Sequence, residues 1–331
     1  MVRRSRLKFD GWVYSPKVIY KFELGLSNRD ISGGISPEFR NASNFILDAS
    51  VKWNFYENFS ILFGQGKLPG NRERIISSGN LQFVDRSLLN SRYNIDRDVG
   101  LQLMHHFNIR EAIVKSTVAL SQGEGRNVTE GSFGGSDYTF NVDFLPMGKF
   151  VSNGDFVGSD LKREQTPKLA IGLTYDMNRN AVRERGQLGS FIQNSEGDYI
   201  VKNLNTFFVD LMFKYQGISI MMEYADKRTS DNDPFVYDEL SSTAPVIGTF
   251  YTGTGLNLSL GYLLKNDYEV AVRFTDINPD EGVSNDETQY TLGLSKFIVG
   301  HKLKVQTDFS LVQKEGSDDG FLIRAQMDVH F

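Results

Sequence analysis

Cysteine is absent from these 331 residues, tryptophan occurs twice and proline eight times. Without thiols there is no disulfide framework. Unpaired cysteine is a liability in an oxidising compartment, so its absence is compatible with a cell-envelope protein. No apolar run approaches the roughly 20 residues that a membrane-crossing helix needs, and the mean hydropathy is -0.32. That excludes a transmembrane helix but not a membrane barrel, whose strands are only half apolar. Net positive charge is also lacking: the formal charge is -5 and the pI about 5.5, which argues against a general nucleic-acid binder. The first residues show no charged leader, apolar core and small-residue cleavage site. Met1 is therefore read as an internal position or an expression start of an exported chain.

The chain is instead rich in glycine and aromatics, with 31 Gly, 25 Phe and 14 Tyr, a composition of strands and turns. Apolar residues recur at every second position, as one face of a strand requires. In the final stretch Phe321, Ile323, Ala325, Met327, Val329 and Phe331 share one face, and Arg324, Gln326, Asp328 and His330 the other. Similar rows begin at Leu7, Val18, Phe45, Phe59, Val99, Ala112, Tyr138, Leu169, Phe207, Ile218, Leu256, Tyr268, Tyr290 and Leu303. Together they predict roughly fifteen strands and no helix of note.

A soluble carbohydrate-binding sandwich would alternate too, but connection lengths separate the cases. Residues 56–58, 108–110, 216–217, 265–267 and 300–301 read as tight turns. Between them lie long polar connections at 28–43, 64–95, 122–137, 178–205, 228–252 and 278–287. This rhythm predicts an all-β, transmembrane, antiparallel up-and-down β-barrel with short periplasmic turns and long extracellular loops. Aromatics near the strand ends, such as Tyr175, Tyr224, Phe274 and Tyr290 by the long loops, fit girdles at the two interfaces. Residues 148–167 break the rhythm and read as an overlong periplasmic turn. A closed barrel with both termini inside needs an even strand number, so a further strand and a signal peptide are expected before Met1, for about sixteen strands in all. The whole of 1–331 reads as one barrel domain, with 64–95 as a candidate pore-constricting loop.

Several stretches resemble known proteins. A terminal aromatic, Phe331, on an amphipathic last strand resembles the sorting signal of bacterial outer-membrane barrels. Val2-Arg3-Arg4-Ser5-Arg6-Leu7-Lys8-Phe9-Asp10-Gly11 resembles the arginine-doublet strand of the phosphate-selective porin O and P family. Gly64-Gln65-Gly66-Lys67-Leu68-Pro69, with Glu73, Ser77, Ser78 and Phe83-Val84-Asp85-Arg86-Ser87, resembles that family's strand and constriction loop. Gly123-Glu124-Gly125-Arg126-Asn127 is a weaker echo. The resemblance implies a sixteen-stranded, usually trimeric channel of the bacterial outer membrane in which basic residues guide anions through an inward loop. Arg3 and Arg4 match the doublet, Lys67 the lysine after the glycine-glutamine pair, and Arg86 the arginine before serine. Acidic residues at Asp10, Glu23, Asp48 and Asp85 depart from a purely basic lumen.

Parity with Leu7 points Arg4, Arg6 and Lys8 inward at about 7 Å spacing and Arg3 outward. A second basic set, Lys67, Arg72, Arg74, Arg86, Arg92 and Arg97, belongs to the longest early connection. The expected pore and anion-binding residues are therefore Arg3, Arg4, Arg6, Lys8, Lys67, Arg72, Arg74 and Arg86, unless lumenal carboxylates neutralise them. If the early loop stood outside, its charges would instead bind lipopolysaccharide phosphates. Catalytic signals are poor. Gly64-Gln65-Gly66-Lys67 lacks P-loop spacing, and the neighbours His105 and His106 fall on opposite strand faces. Asp231, Asp233 and Glu239 form an acidic loop without an EF-hand pattern. The reading is a passive channel for small hydrophilic solutes, phosphate-like anions among them, needing no cofactor and embedded among outer-membrane lipids as a homotrimer. A plugged barrel acting as an adhesin or envelope subunit is the alternative.

Overall fold

A computed structural model describes residues 2–31, 37–39, 44–129, 133–238 and 245–330. Phe331 and Glu239 lie outside the described residues. The strands are β1 (Arg6–Val13), β2 (Ser15–Gly25), β3 (Ile46–Tyr56), β4 (Phe59–Lys67), β5 (Arg97–Ile109), β6 (Ala112–Ser121), β7 (Asp137–Leu145), β8 (Lys168–Ala181) and β9 (Lys202–Tyr215). They continue as β10 (Ile218–Thr229), β11 (Phe235–Tyr237), β12 (Val246–Thr249), β13 (Gly253–Leu263), β14 (Tyr268–Pro279), β15 (Glu287–Val299), β16 (Leu303–Lys314) and β17 (Gly320–Val329). Fifteen of them form one antiparallel sheet in which each pairs with the next, while β11 and β12 make a separate hairpin within a connection read from the sequence as loop. This is the up-and-down barrel topology predicted from the alternation. Its edges, β1 and β17, are not hydrogen-bonded to each other.

Burial inverts the rule of soluble proteins. Along β7 the buried residues are Asp137, Thr139, Asn141, Asp143 and Leu145, and the exposed ones are Tyr138, Phe140, Val142 and Phe144. An apolar outer belt facing lipid and a polar interior produce this pattern. The tight turns are made where the backbone adopts positive φ. At the β9–β10 hairpin Gln216 and Gly217 hold φ of 46° and 91°, the primed-turn geometry whose twist matches the paired strands. One predicted outward residue turns inward. Leu47 is 2 % exposed, because the β2–β3 register shifts between Glu23 and Leu24, and the bulge turns the side chain that parity placed outside.

Two connections fold into the barrel. Residues 68–96, between β4 and β5, start four residues inside the predicted loop and end one residue beyond it, since Lys67 still belongs to β4 and Arg97 opens β5. Leu68, Leu89, Tyr93 and Ile95 pack on Ala119, Phe208, Ala225 and Ile277 of the wall. Residues 148–167 also turn inward, so the overlong turn is an internal segment. Lys214 of β9 donates to the carbonyls of Val157 and Ser159 at 2.9 and 3.0 Å, and Gly158 N donates to Asn80 O of the first loop at 2.8 Å.

Candidate pore and anion site

The two inward segments fill the lumen beside β7 to β16 and leave a cavity of about 1490 Å3 beside β1 to β6. Its lining includes Arg185 and Leu188 of the β8–β9 connection and Glu57 and Asn58 of the opposite turn, so it reaches both ends of the barrel. Fifteen lining residues are Lys or Arg and eight are Asp or Glu. A chain of net charge -5 has thus placed its basic side chains along one passage.

The N-terminal basic row lines this cavity but is already paired. Arg3 and Arg4 precede β1, where strand parity no longer applies, and both reach Asp85, the latter at 2.7 Å. Arg3 therefore does not point outward. Arg6 lies 3.3 Å from Asp30, and Lys8 lies 3.0 Å from Asp10. Along the same wall Arg97 of β5 donates to Asp48 of β3 at 2.7 Å, and within the inward loop Arg74 pairs with Asp96. The intervening carboxylates of the sequence are counter-ions to this row.

Lys67 and Arg86 differ. Pro69 and Gly70 end β4 and turn the chain inward, with Gly70 so close to Ile95 that a Cβ would fall 2.7 Å from its side chain. The next short helix, Arg72–Ile75, presents its last carbonyls to the cavity. Lys67 Nζ donates to the carbonyls of Arg74, Ile75 and Ile76 at 2.7, 2.9 and 3.3 Å. Arg86 donates from Nε to Glu73 O at 3.0 Å and from Nη2 to the same Ile76 carbonyl at 2.7 Å. Among the described residues neither cation has a carboxylate within ion-pair distance. Carbonyl dipoles hold the two side chains in place without cancelling their charge. Burial, with the Arg74 guanidinium alongside, pushes Arg86 down to about 9, the direction expected of a cation short of negative partners.

Arg72 is not available to a solute. It is 1 % exposed, lies outside the cavity lining, and is clamped by Asp143 and Asp210 over the Phe156 ring. Arg92 is likewise held by Glu287 at 2.7 Å. Several lining cations were not singled out in the sequence, Arg126 and Arg185 among them. Arg126 donates to Asn44 O at 2.9 Å and Arg185 to Ser91 O at 2.7 Å, neither facing a carboxylate within ion-pair distance among the described residues. Of these two, only Arg126 carried a signal, the glycine-rich stretch around it. The acidic loop is neutralised by Lys202, 2.8 Å from Asp231 and 3.6 Å from Asp233. His105 stacks on Phe59, and the described residues hold no metal-ligating cluster.

The family model described as phosphate-selective porin O and P matches residues 1–188, more than half the chain. The chain belongs to that family. It is an outer-membrane porin, and the barrel topology and lipid-facing belt agree with that. An uncharacterized protein of Aquifex aeolicus is 22 % identical over 313 residues, which is 86 % of this porin and 67 % of that chain. Among solved structures, OprB of Pseudomonas putida superposes with a TM-score of 0.55 at 12 % identity, covering 94 % of this chain and 82 % of that one. The anion-selective porin of Comamonas acidovorans gives 0.52 at 10 % identity, covering 99 % and 86 %. At such identities the likeness concerns the fold alone.

Proposed function

We propose that this porin passes small anions, phosphate among them, by diffusion, with Lys67 and Arg86 as the point where the anion is recognised. The observation that carries the reading is that these two side chains share the Ile76 carbonyl at the edge of the cavity and have no carboxylate beside them. An ammonium and a guanidinium fixed on neutral acceptors can replace part of an oxyanion's hydration shell, the guanidinium through two N–H groups. Ser77 and Ser78, which also line the cavity, add hydroxyl donors. The Comamonas acidovorans neighbour is described as anion-selective, which agrees with this reading. A cavity that reaches both ends speaks against a plugged barrel serving as an adhesin. Family membership supports a homotrimer among outer-membrane lipid and lipopolysaccharide, and chemical cross-linking in membranes tests that assembly.

The test of the channel is a planar-bilayer recording of the purified protein. A KCl gradient should give a reversal potential on the anion side, and added phosphate should reduce the chloride current. A potential on the cation side, or indifference to phosphate in Lys67→Met and wild type alike, sinks the proposal.

A further inference from the structure

We infer that residues 68–96 act as a mask over an acidic half of the barrel wall, so that Arg72 and Arg92, which do not line the cavity, set the sign of ion the channel admits. This rests on the anion reading above. Six carboxylates face inward from six different strands: Asp143 of β7, Asp210 of β9, Glu223 of β10, Glu269 of β14, Glu287 of β15 and Asp308 of β16. None is more than 6 % exposed, and only Asp143 borders the cavity.

Each of the six takes a donor from the loop. Arg72 spans Asp143 and Asp210. Glu73 N donates to Glu223 at 2.6 Å, Gln82 Nε2 to Glu269 at 2.9 Å, Val84 N to Asp308 at 3.2 Å and Arg92 to Glu287 at 2.7 Å. A segment that merely filled space would pack apolar side chains on a wall of matching chemistry. This one is matched to the wall acceptor by acceptor, and it adds two guanidiniums to a wall whose buried carboxylates outnumber its own buried cations, Lys214, Lys227, Arg273 and Lys304. Fixed charge governs permeation over about a Debye length, about 8 Å at physiological salt. With the loop in place a solute meets the basic wall of β1 to β6. With the loop loosened, water and ions reach carboxylates that attract cations and repel anions.

The recording is made on the full-length channel in bilayers under a KCl gradient. Arg72→Gln with Arg92→Gln should raise conductance and lower the chloride-to-potassium permeability ratio by at least about threefold, since carboxylates lose their cations as the loop loosens. Combining Asp143→Asn and Asp210→Asn with Glu287→Gln weakens the same two docking points while removing wall charge, so conductance should rise and the ratio should hold or increase. Arg72→Lys, which keeps the charge, should restore most of the ratio. If the arginine double variant and the carboxylate triple variant lower the ratio alike, or neither changes it, the mask is refuted. If the arginine double variant does not give the folded, heat-modifiable form, Arg92→Gln alone decides: a lowered ratio supports the mask and an unchanged one overturns it. A wild-type channel without anion preference would sink the anion reading instead, leaving the mask to be judged from the change relative to wild type.

Discussion

Asp85 and Arg324 stand 3.3 Å apart, and the other oxygen of Asp85 takes Arg4 at 2.7 Å. Arg4 lies two residues before β1 and Arg324 belongs to β17, so one carboxylate of the inward loop ties together the two edges of the sheet. Asp85→Asn should therefore loosen the barrel along that line, because three guanidiniums lose their shared anion. The site is partly solvated, so the expected cost is about 1–3 kcal/mol, less than for a fully buried pair. The midpoint of heat-induced conversion from the compact to the extended form on a gel should fall, whereas Asp85→Glu should largely preserve it.

Anion preference should depend unequally on the two basic groups. Lys67→Met and Arg86→Met each remove a lumenal charge that no carboxylate cancels, and each should shift the reversal potential toward cations and weaken phosphate block. Both effects should shrink as ionic strength rises, since screening weakens the attraction.

Removing Arg6 together with its partner should do much less. Its guanidinium is paired with Asp30, so Arg6→Ala with Asp30→Ala deletes two charges of opposite sign and leaves the net charge of the passage unchanged. A reversal potential as strongly displaced as that of Arg86→Met would show that the N-terminal row, not the loop pair, governs selectivity.

The contrast between Arg6 and Arg86 also marks how far the sequence could be read. Period-two alternation and the spacing of turns carry the barrel, because a lipid belt and a wet interior impose both on every strand. The inward placement of Arg6 and Lys8 follows from the same parity. The partners of the basic row do not: Asp30 and Asp85 come from connections whose paths no local pattern specifies. Arg72 looked like a channel residue because it sits among cations in the sequence, yet its environment is set by Asp143 and Asp210, about 70 and 140 positions further on. Residues 148–167 were legible as an anomaly in length, and their inward path needed the Lys214 contact to become visible. The doublet and the glycine-glutamine-glycine-lysine stretch were legible as family resemblance, and both lie within the matched residues 1–188.

The packing of the inward loop can be tested apart from its charges. Leu89 is 0 % exposed within the cluster around Phe208. Leu89→Ala should cost the loop about 2–5 kcal/mol of local stability through the cavity it leaves. Single-channel records should then show faster flickering and a broader conductance distribution, with the heat-modifiable transition of the barrel little changed. A sharp drop in that transition would mean that the loop core supports the wall itself.

The second inward segment hangs on Lys214. Lys214 is 2 % exposed, its ammonium holds Val157 O and Ser159 O, and Gly158 between them reaches Asn80 of the first loop. Lys214→Met keeps the length of the side chain but leaves two carbonyls without a donor, a cost of about 1–3 kcal/mol each if they stay buried. Release of the segment toward the periplasmic end avoids that cost. The variant should thus become sensitive to added protease within 148–167 from that side, while the strands stay protected by their ladder and by lipid. Because Asn80 loses its partner at the same time, conductance should become noisier than in wild type. Protease resistance equal to wild type would show that the remaining anchors, Asp155 to Lys115 and Ser159 to Glu269, suffice without Lys214.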